Sequence, residues 1–232
     1  MFRAGWMLLL LVACGGSSDP VRNLERDLNR YPEYSLIVDD TRVEGTLFRD
    51  YALRFQVLTA SGQRIDGRDT LVYQERKTDW YPVAEDIYYR YDNYVGMVVA
   101  SKTLDGQRTG ARQAHPPGYQ YVGNSQYGFW GGGGFWQFYG QYALMSNLMG
   151  GWNVGRGDWE DYRRNRGHGR PYYGPVKNGR PTFGSRGSVT QQARPKFYQR
   201  QVSRQQSFSN QVKNRMGRSS SGWGRGASRF GK

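Results

Sequence analysis

Between Tyr51 and Leu58 the chain alternates: Tyr51, Leu53, Phe55 and Val57 interleave with Ala52, Arg54, Gln56 and Leu58. A two-residue period places one set on each side of an extended strand, so this segment demands a sheet with at least one covered face. Further strands are predicted over Tyr34–Val38, Thr70–Arg76, Asp86–Tyr91 and Val95–Ser101. Ser61-Gly62 and Asp66-Gly67 supply turn dipeptides between two of them. Ahead of the strands the period is helical. Asp19 can cap, Pro20 fits the first turn, and Val21, Leu24, Leu28 and Tyr31 recur at helical spacing before Pro32 ends the element. These segments predict an α+β domain over 20–105, an amino-terminal helix with an antiparallel meander of five or six strands. About 85 residues suffice for an independent but small core.

Charge divides the chain in two. Residues 15–110 hold 13 Lys/Arg against 16 Asp/Glu, whereas 111–232 hold 19 against 3, so the formal net charge of +14 belongs to the second half. Such asymmetry suggests a folded domain followed by a basic interaction segment. The connection between them, 106–134, is rich in glycine, proline and aromatic residues.

From Gln113 to Gly155 there is no Asp, Glu, Lys or Arg. After the glycines at 131–134, the run Phe135-Trp136-Gln137-Phe138-Tyr139 through Met149 predicts an apolar helix over 135–149. Drawn as a helix it is apolar around most of its circumference. Three roles fit it: completing the core against the uncovered face of the sheet, lying in a membrane interface where Trp and Tyr rings are favoured, or serving as a self-association surface. At 1.5 Å per residue, fifteen residues reach only about 22 Å, short of a bilayer.

From 150 onward Arg, Gly, Gln, Ser, Asn and Tyr dominate. A chain with so few aliphatic residues is expected to stay disordered, because burial cannot offset its ordering entropy. Within it, Arg170, Arg180 and Arg194 are each followed three positions later by an aromatic residue: Tyr173, Phe183 and Phe197. The intervening prolines favour an extended backbone that would present cation and ring separately. Arg170, Arg180, Arg194 and Lys196 are the candidate contacts to an anionic partner. The acidic pairs Asp39-Asp40 and Glu85-Asp86 of the chain's own first half are an alternative target.

One cysteine occurs in 232 residues, Cys14, directly behind the run Ala4–Ala13. Arg3, this short apolar core and small Ala13 have the anatomy of a secretory signal, and ten residues are too few to span a bilayer. A lone thiol closes no internal disulfide. The tetrad Leu11-Val12-Ala13-Cys14 resembles the lipobox of bacterial lipoproteins. The resemblance covers about the first fifteen residues and is silent on the fold. It implies a signal peptide at 1–13, diacylglycerol on the Cys14 sulfur, acylation of the new amino group, and a lipidated linker at 14–19. Gly15, in place of the Asp that retains lipoproteins at the inner membrane, implies the periplasmic side of the outer membrane where the host has two membranes.

Catalytic patterns are weak. His115 lies in a proline-rich turn and His168 in Asn165-Arg166-Gly167-His168, neither at ligand spacing with another donor, so no metal or cofactor is expected. No phosphate loop or nucleophile elbow stands out. An Arg/Gly/aromatic tail alone would suggest nucleic acid, with guanidinium groups on phosphates and rings on bases. An export signal argues for other polyanions: anionic lipid, lipopolysaccharide or an acidic cell-wall polymer. The sequence therefore predicts a non-enzymatic, membrane-anchored envelope lipoprotein. An Arg/Gly-rich nucleic-acid-binding protein and a self-associating scaffold using 129–149 are the alternatives.

Overall fold

The computed structural model describes residues 18–45, 47–65, 67–148, 151–204 and 206. The expected signal peptide at 1–13, Cys14 and the segment 207–232 lie outside them.

Helix α1 (Pro20–Leu28) starts where Asp19 Oδ1 accepts the amide of Val21 at 3.0 Å, with Pro20 in the first turn. It buries Val21, Leu24 and Leu28. The strands β1 (Glu33–Glu44), β2 (Asp50–Ile65) and β3 (Arg68–Lys77) form the expected antiparallel meander. Of the two expected turns, the one at Gly67 is where the chain reverses. Gly67 takes φ 79°, a left-handed conformation natural to glycine, and Ile65 pairs with Arg68 across it. Ser61 and Gly62 instead continue β2, opposite Val72 and Leu71.

β4 (Tyr81–Val83) continues along the same edge of β2 after a break at 78–80. Thr78 bridges the break: its amide donates to Phe55 O at 2.8 Å, and Phe55 N donates to Thr78 Oγ1 at 3.1 Å.

The strand expected over Asp86–Tyr91 is a helix, α2 (Glu85–Tyr91). Ile87, Tyr88 and Tyr91 lie at the spacing of one helical face and are buried, while Tyr89 and Arg90 face out. Glu85 and Asp86 oppose the positive helix start, and Arg90 reaches back to Asp86 at 3.7 Å. The alternation of tyrosines is compatible with a strand, but acids first and a base last favour a helix.

From there the chain crosses to the far side of β1. β5 (Val98–Lys102) pairs antiparallel with β1 and is followed by β6 (Arg108–Thr109), giving the order β3-β2-β1-β5-β6. Both faces of the sheet are covered, which is why Glu33 through Asp39 are buried without alternation. On one face Leu36, Val38, Leu53, Phe55 and Val57 meet α1 and α2. On the other, Leu58 packs with Tyr121, Tyr127, Tyr142 and Met145.

The uncharged stretch thus helps complete the core, though not as one helix. β7 (Gly128–Trp130) and β8 (Trp136–Phe138) form a hairpin around the glycine run, and α3 (Ala143–Leu148) follows. Gly128 crosses its partner so closely that a Cβ there would stand 2.1 Å from Gln137 O.

Composition predicts disorder from 150, yet 151–204 is folded. α4 (Arg156–Gly167), the small hairpin of β9 (Val176–Lys177) and β10 (Arg180–Pro181), α5 (Ser188–Ala193) and a helix over 195–204 (α6) succeed one another. The segment builds no aliphatic core of its own. It inserts rings into existing ones, Tyr162 and Tyr172 into a cluster with Tyr119 and Trp136, and Phe183 and Phe197 into the main core. Aromatic side chains bury more area than any aliphatic one, so a few of them replace many.

Candidate functional site

The second half reaches the first at Asp39. A register shift in β1 between Val38 and Asp40 marks this point of the strand. The Asp39 side chain is fully buried and receives three cations: Arg54 Nε at 2.7 Å, Arg194 Nη2 at 2.8 Å and Lys77 Nζ at 3.0 Å. A second nitrogen of Arg194 donates to the Asp39 carbonyl. Burial by itself would raise the Asp39 pKa, but the bonds from Arg194, Lys77 and Arg54 outweigh it and hold the carboxyl below its ordinary range. Beside this knot the Trp80 ring carries the guanidinium groups of Arg42 and Arg54, at 4.6 and 4.7 Å from its centroid.

The four basic residues singled out by the sequence therefore separate. Arg194 is turned inward onto Asp39, the internal target weighed as the alternative to a foreign anion. Arg170, Arg180 and Lys196 are exposed, and Arg180 contacts Gln191 Oε1 at 3.3 Å. The rings that follow the three arginines are anchors. Phe183 and Phe197 are core residues, and Tyr173 packs against that core with its ring 5.9 Å from Tyr94. In this arrangement none of the three stands free to stack on a base. Residues 151–204 hold twelve Lys/Arg against three Asp/Glu, so the folded segment keeps a strong positive excess after the Asp39 contact.

A second aromatic and basic surface lies where α4 meets the β7–β8 hairpin. Trp130 stacks edge-on against Trp136 and Trp159, at 5.3 and 5.7 Å between centroids. Arg156 covers Trp130 at 4.6 Å and Arg163 covers Trp159 at 4.9 Å. Phe129, Phe135 and Tyr139 are about half exposed on the hairpin. The uncharged composition of 113–155 points to these rings, but it gives no sign that the arginines of α4 cover them.

Two buried titratable clusters are assembled by tertiary contacts that the sequence pattern does not show. Glu33 accepts the hydroxyls of Tyr73 and Tyr127, both at 3.0 Å. Burial raises its pKa against the opposing pull of the tyrosine hydroxyls. His115 Nδ1 bonds the Pro116 carbonyl at 2.9 Å, Nε2 bonds Thr109 Oγ1 at 3.2 Å, and Thr109 bonds Ser101 Oγ at 2.6 Å. The carbonyl has no proton, so Nδ1 carries one and Nε2 accepts from Thr109. Burial pushes the His115 pKa down to about 4, keeping the imidazole neutral. Serine, threonine and histidine in sequence resemble a nucleophile and its base, but Ser101, Thr109 and His115 are all buried. The chain of bonds serves to join β5, β6 and the turn at 115. Among the described residues no group of three His, Cys, Asp or Glu side chains could hold a metal, and no helix is long and apolar enough to cross a membrane.

Comparison with known proteins returned no match among family models, curated proteins or solved structures.

Proposed function

We propose that this protein is a non-enzymatic lipoprotein of the bacterial cell envelope, tethered through acylated Cys14 and presenting a folded basic domain to an anionic partner. The observation that carries the reading is the single cysteine of the chain, placed at the end of a ten-residue apolar run in Leu11-Val12-Ala13-Cys14. Asp19, only five residues later, already caps the first helix of the domain, so 14–19 serves as a short tether. Gly15 favours the periplasmic side of the outer membrane in a host with two membranes. Exposed Arg170, Arg180 and Lys196 suit anionic lipid, lipopolysaccharide or an acidic wall polymer. A role in nucleic-acid binding is less well supported, because Phe183 and Phe197, the rings such binding would use, are held in the core. The intact mass of the membrane-fraction protein tests the proposal. A mass lacking residues 1–13 and carrying diacylglycerol plus a fatty acyl group, both absent from a Cys14→Ser variant, is the expected result. An unmodified full-length mass in the soluble fraction would overturn it.

A further inference from the structure

The two most exposed large apolar side chains of the described residues, Leu47 (86%) and Phe48 (82%), are neighbours at the turn joining β1 to β2. A turn at the end of two strands gains nothing in water from such a pair. The turn is also tight. Gly45 takes φ 80°, and a Cβ there would stand 1.9 Å from the Phe48 carbonyl oxygen, so the backbones of Gly45 and Phe48 pass too close for any side chain at 45.

A chain of contacts along α2 links this turn to Asp19, where the tether ends. Its base is the pair Glu44–Asp50, and the next residue, Tyr51, donates its hydroxyl to Glu85 at 2.7 Å, at the start of α2. At the other end of α2, Arg90 and the Tyr91 hydroxyl each hold the Asp19 carboxylate at 2.9 Å. Tyr89, about half exposed, lies between with its ring 6.0 Å from that of Tyr51. Seven residues of helix separate the two ends of α2, about 10 Å. The tether from Cys14 to Asp19 can extend roughly 17 Å. The tether is longer than α2, so a lipid on Cys14 and the Leu47–Phe48 turn can meet one bilayer surface when the domain lies with the exposed Tyr89–Arg90 face of α2 along it.

On the reading of Cys14 as the lipid anchor, we propose that Leu47 and Phe48 insert into the lipid interface beside it, with Tyr89 at the level of the headgroups, and so fix the orientation of the domain on the membrane. Aliphatic and aromatic side chains on a turn gain free energy by entering the boundary between headgroups and acyl chains, where tyrosine is also favoured. Exposed Arg22 and Arg112, which rim the cleft beside Asp19, would face anionic headgroups at that level. The half-exposed rings of the β7–β8 hairpin are a weaker candidate for this role. Phe129 and Tyr139 shield each other at 5.8 Å, and among the described residues no hydrogen bond or ion pair ties the hairpin to Asp19.

The sole cysteine makes the test direct. With the Cys14 sulfur capped by diacylglyceryl in a thioether, Phe48→Cys gives the mature protein one free thiol for a nitroxide label. The control is Gln63→Cys, exposed near the other end of β2 and about 40 Å along the strand. Each labelled full-length lipoprotein is verified by mass and reconstituted into vesicles of phosphatidylethanolamine and phosphatidylglycerol. The expected result is loss of collisions with a water-soluble paramagnetic chelate at position 48, with collisions with oxygen retained, while position 63 stays open to the chelate. An acylated protein whose label at 48 remains open to the chelate overturns the insertion and leaves the anchor standing. A label open in these vesicles but protected in native membranes assigns the turn to a protein partner and also overturns it. A mass without lipid overturns the anchor, and this inference with it.

Discussion

Docking of α6 is the feature most at odds with a composition of arginine, glutamine and serine, and it can be tested at one side chain. Phe197 is 6% exposed within the main core, and on the preceding turn Arg194 holds Asp39. Lys196 and Arg200 are themselves exposed, so a protease could bind either side chain at once if the backbone were free. Only the need to unfold α6 protects them. Truncating a buried phenylalanine costs about 3–5 kcal/mol, and the lower end applies to a peripheral helix whose site can partly collapse. About 3 kcal/mol corresponds to roughly a hundredfold rise in the open population. Where closing outpaces cleavage, proteolysis follows that population. Phe197→Ala should therefore speed tryptic cleavage after Lys196 and Arg200 by about two orders of magnitude, followed by mass spectrometry of the fragments under native conditions. If wild-type protein is cut there as fast as a short peptide of the same sequence, or if Phe197→Ala leaves the rate unchanged, the docking and the reasoning from it are refuted.

Further predictions concern the core. Burial lowers the His115 pKa from 6.5 to about 4, so between those values the unfolded chain binds the extra proton. This contribution is fully present above pH 6.5 and is lost as pH falls toward 4. It amounts to about 3 kcal/mol, and His115→Gln should remove that part of the acid slope in urea unfolding measured from pH 7 to 4. At Gly123, φ is 84° and a Cβ would lie 2.2 Å from the Trp159 ring. Gly123→Ala should destabilise by about 3 kcal/mol, combining left-handed backbone strain with overpacking, seen as a lower Tm.

What the sequence disclosed follows from what local pattern can encode. Asp19, Pro20 and the Val21/Leu24/Leu28 spacing define α1 within the chain itself, and Asp66-Gly67 with its flanking strands defines the β2–β3 hairpin. Tyr88 and Tyr89 could not be assigned by alternation, because short helices and strands share apolar pairs; the charges at the two ends of α2 held the missing information. The folding of 151–204 was hidden for a different reason. Its stability resides in rings that fill sites made by distant residues, as Phe183 does beside Trp152 at 6.4 Å. Glu33 and His115 were equally silent, since neither lies in a motif and each gains its partners only through tertiary contacts.

The division of charge, read from the sequence as domain against tail, has another physical basis in the structure. An acidic half and a basic half that fold together could be expected to join mainly through ion pairs. Yet Asp39 is sealed from solvent, so its contacts with Arg54, Lys77 and Arg194 largely offset the cost of burying its charge and add little net stability beyond that. The rings contribute more, because each buried aromatic is worth roughly 1.5–3 kcal/mol in transfer alone. The positive charge of the second half thus does little to hold the fold together. Twelve basic residues in 151–204 against three acids repel one another and destabilise the folded state, and an anionic surface would relieve that repulsion. Attachment beside such a surface, through Cys14, would turn a source of self-repulsion into binding energy.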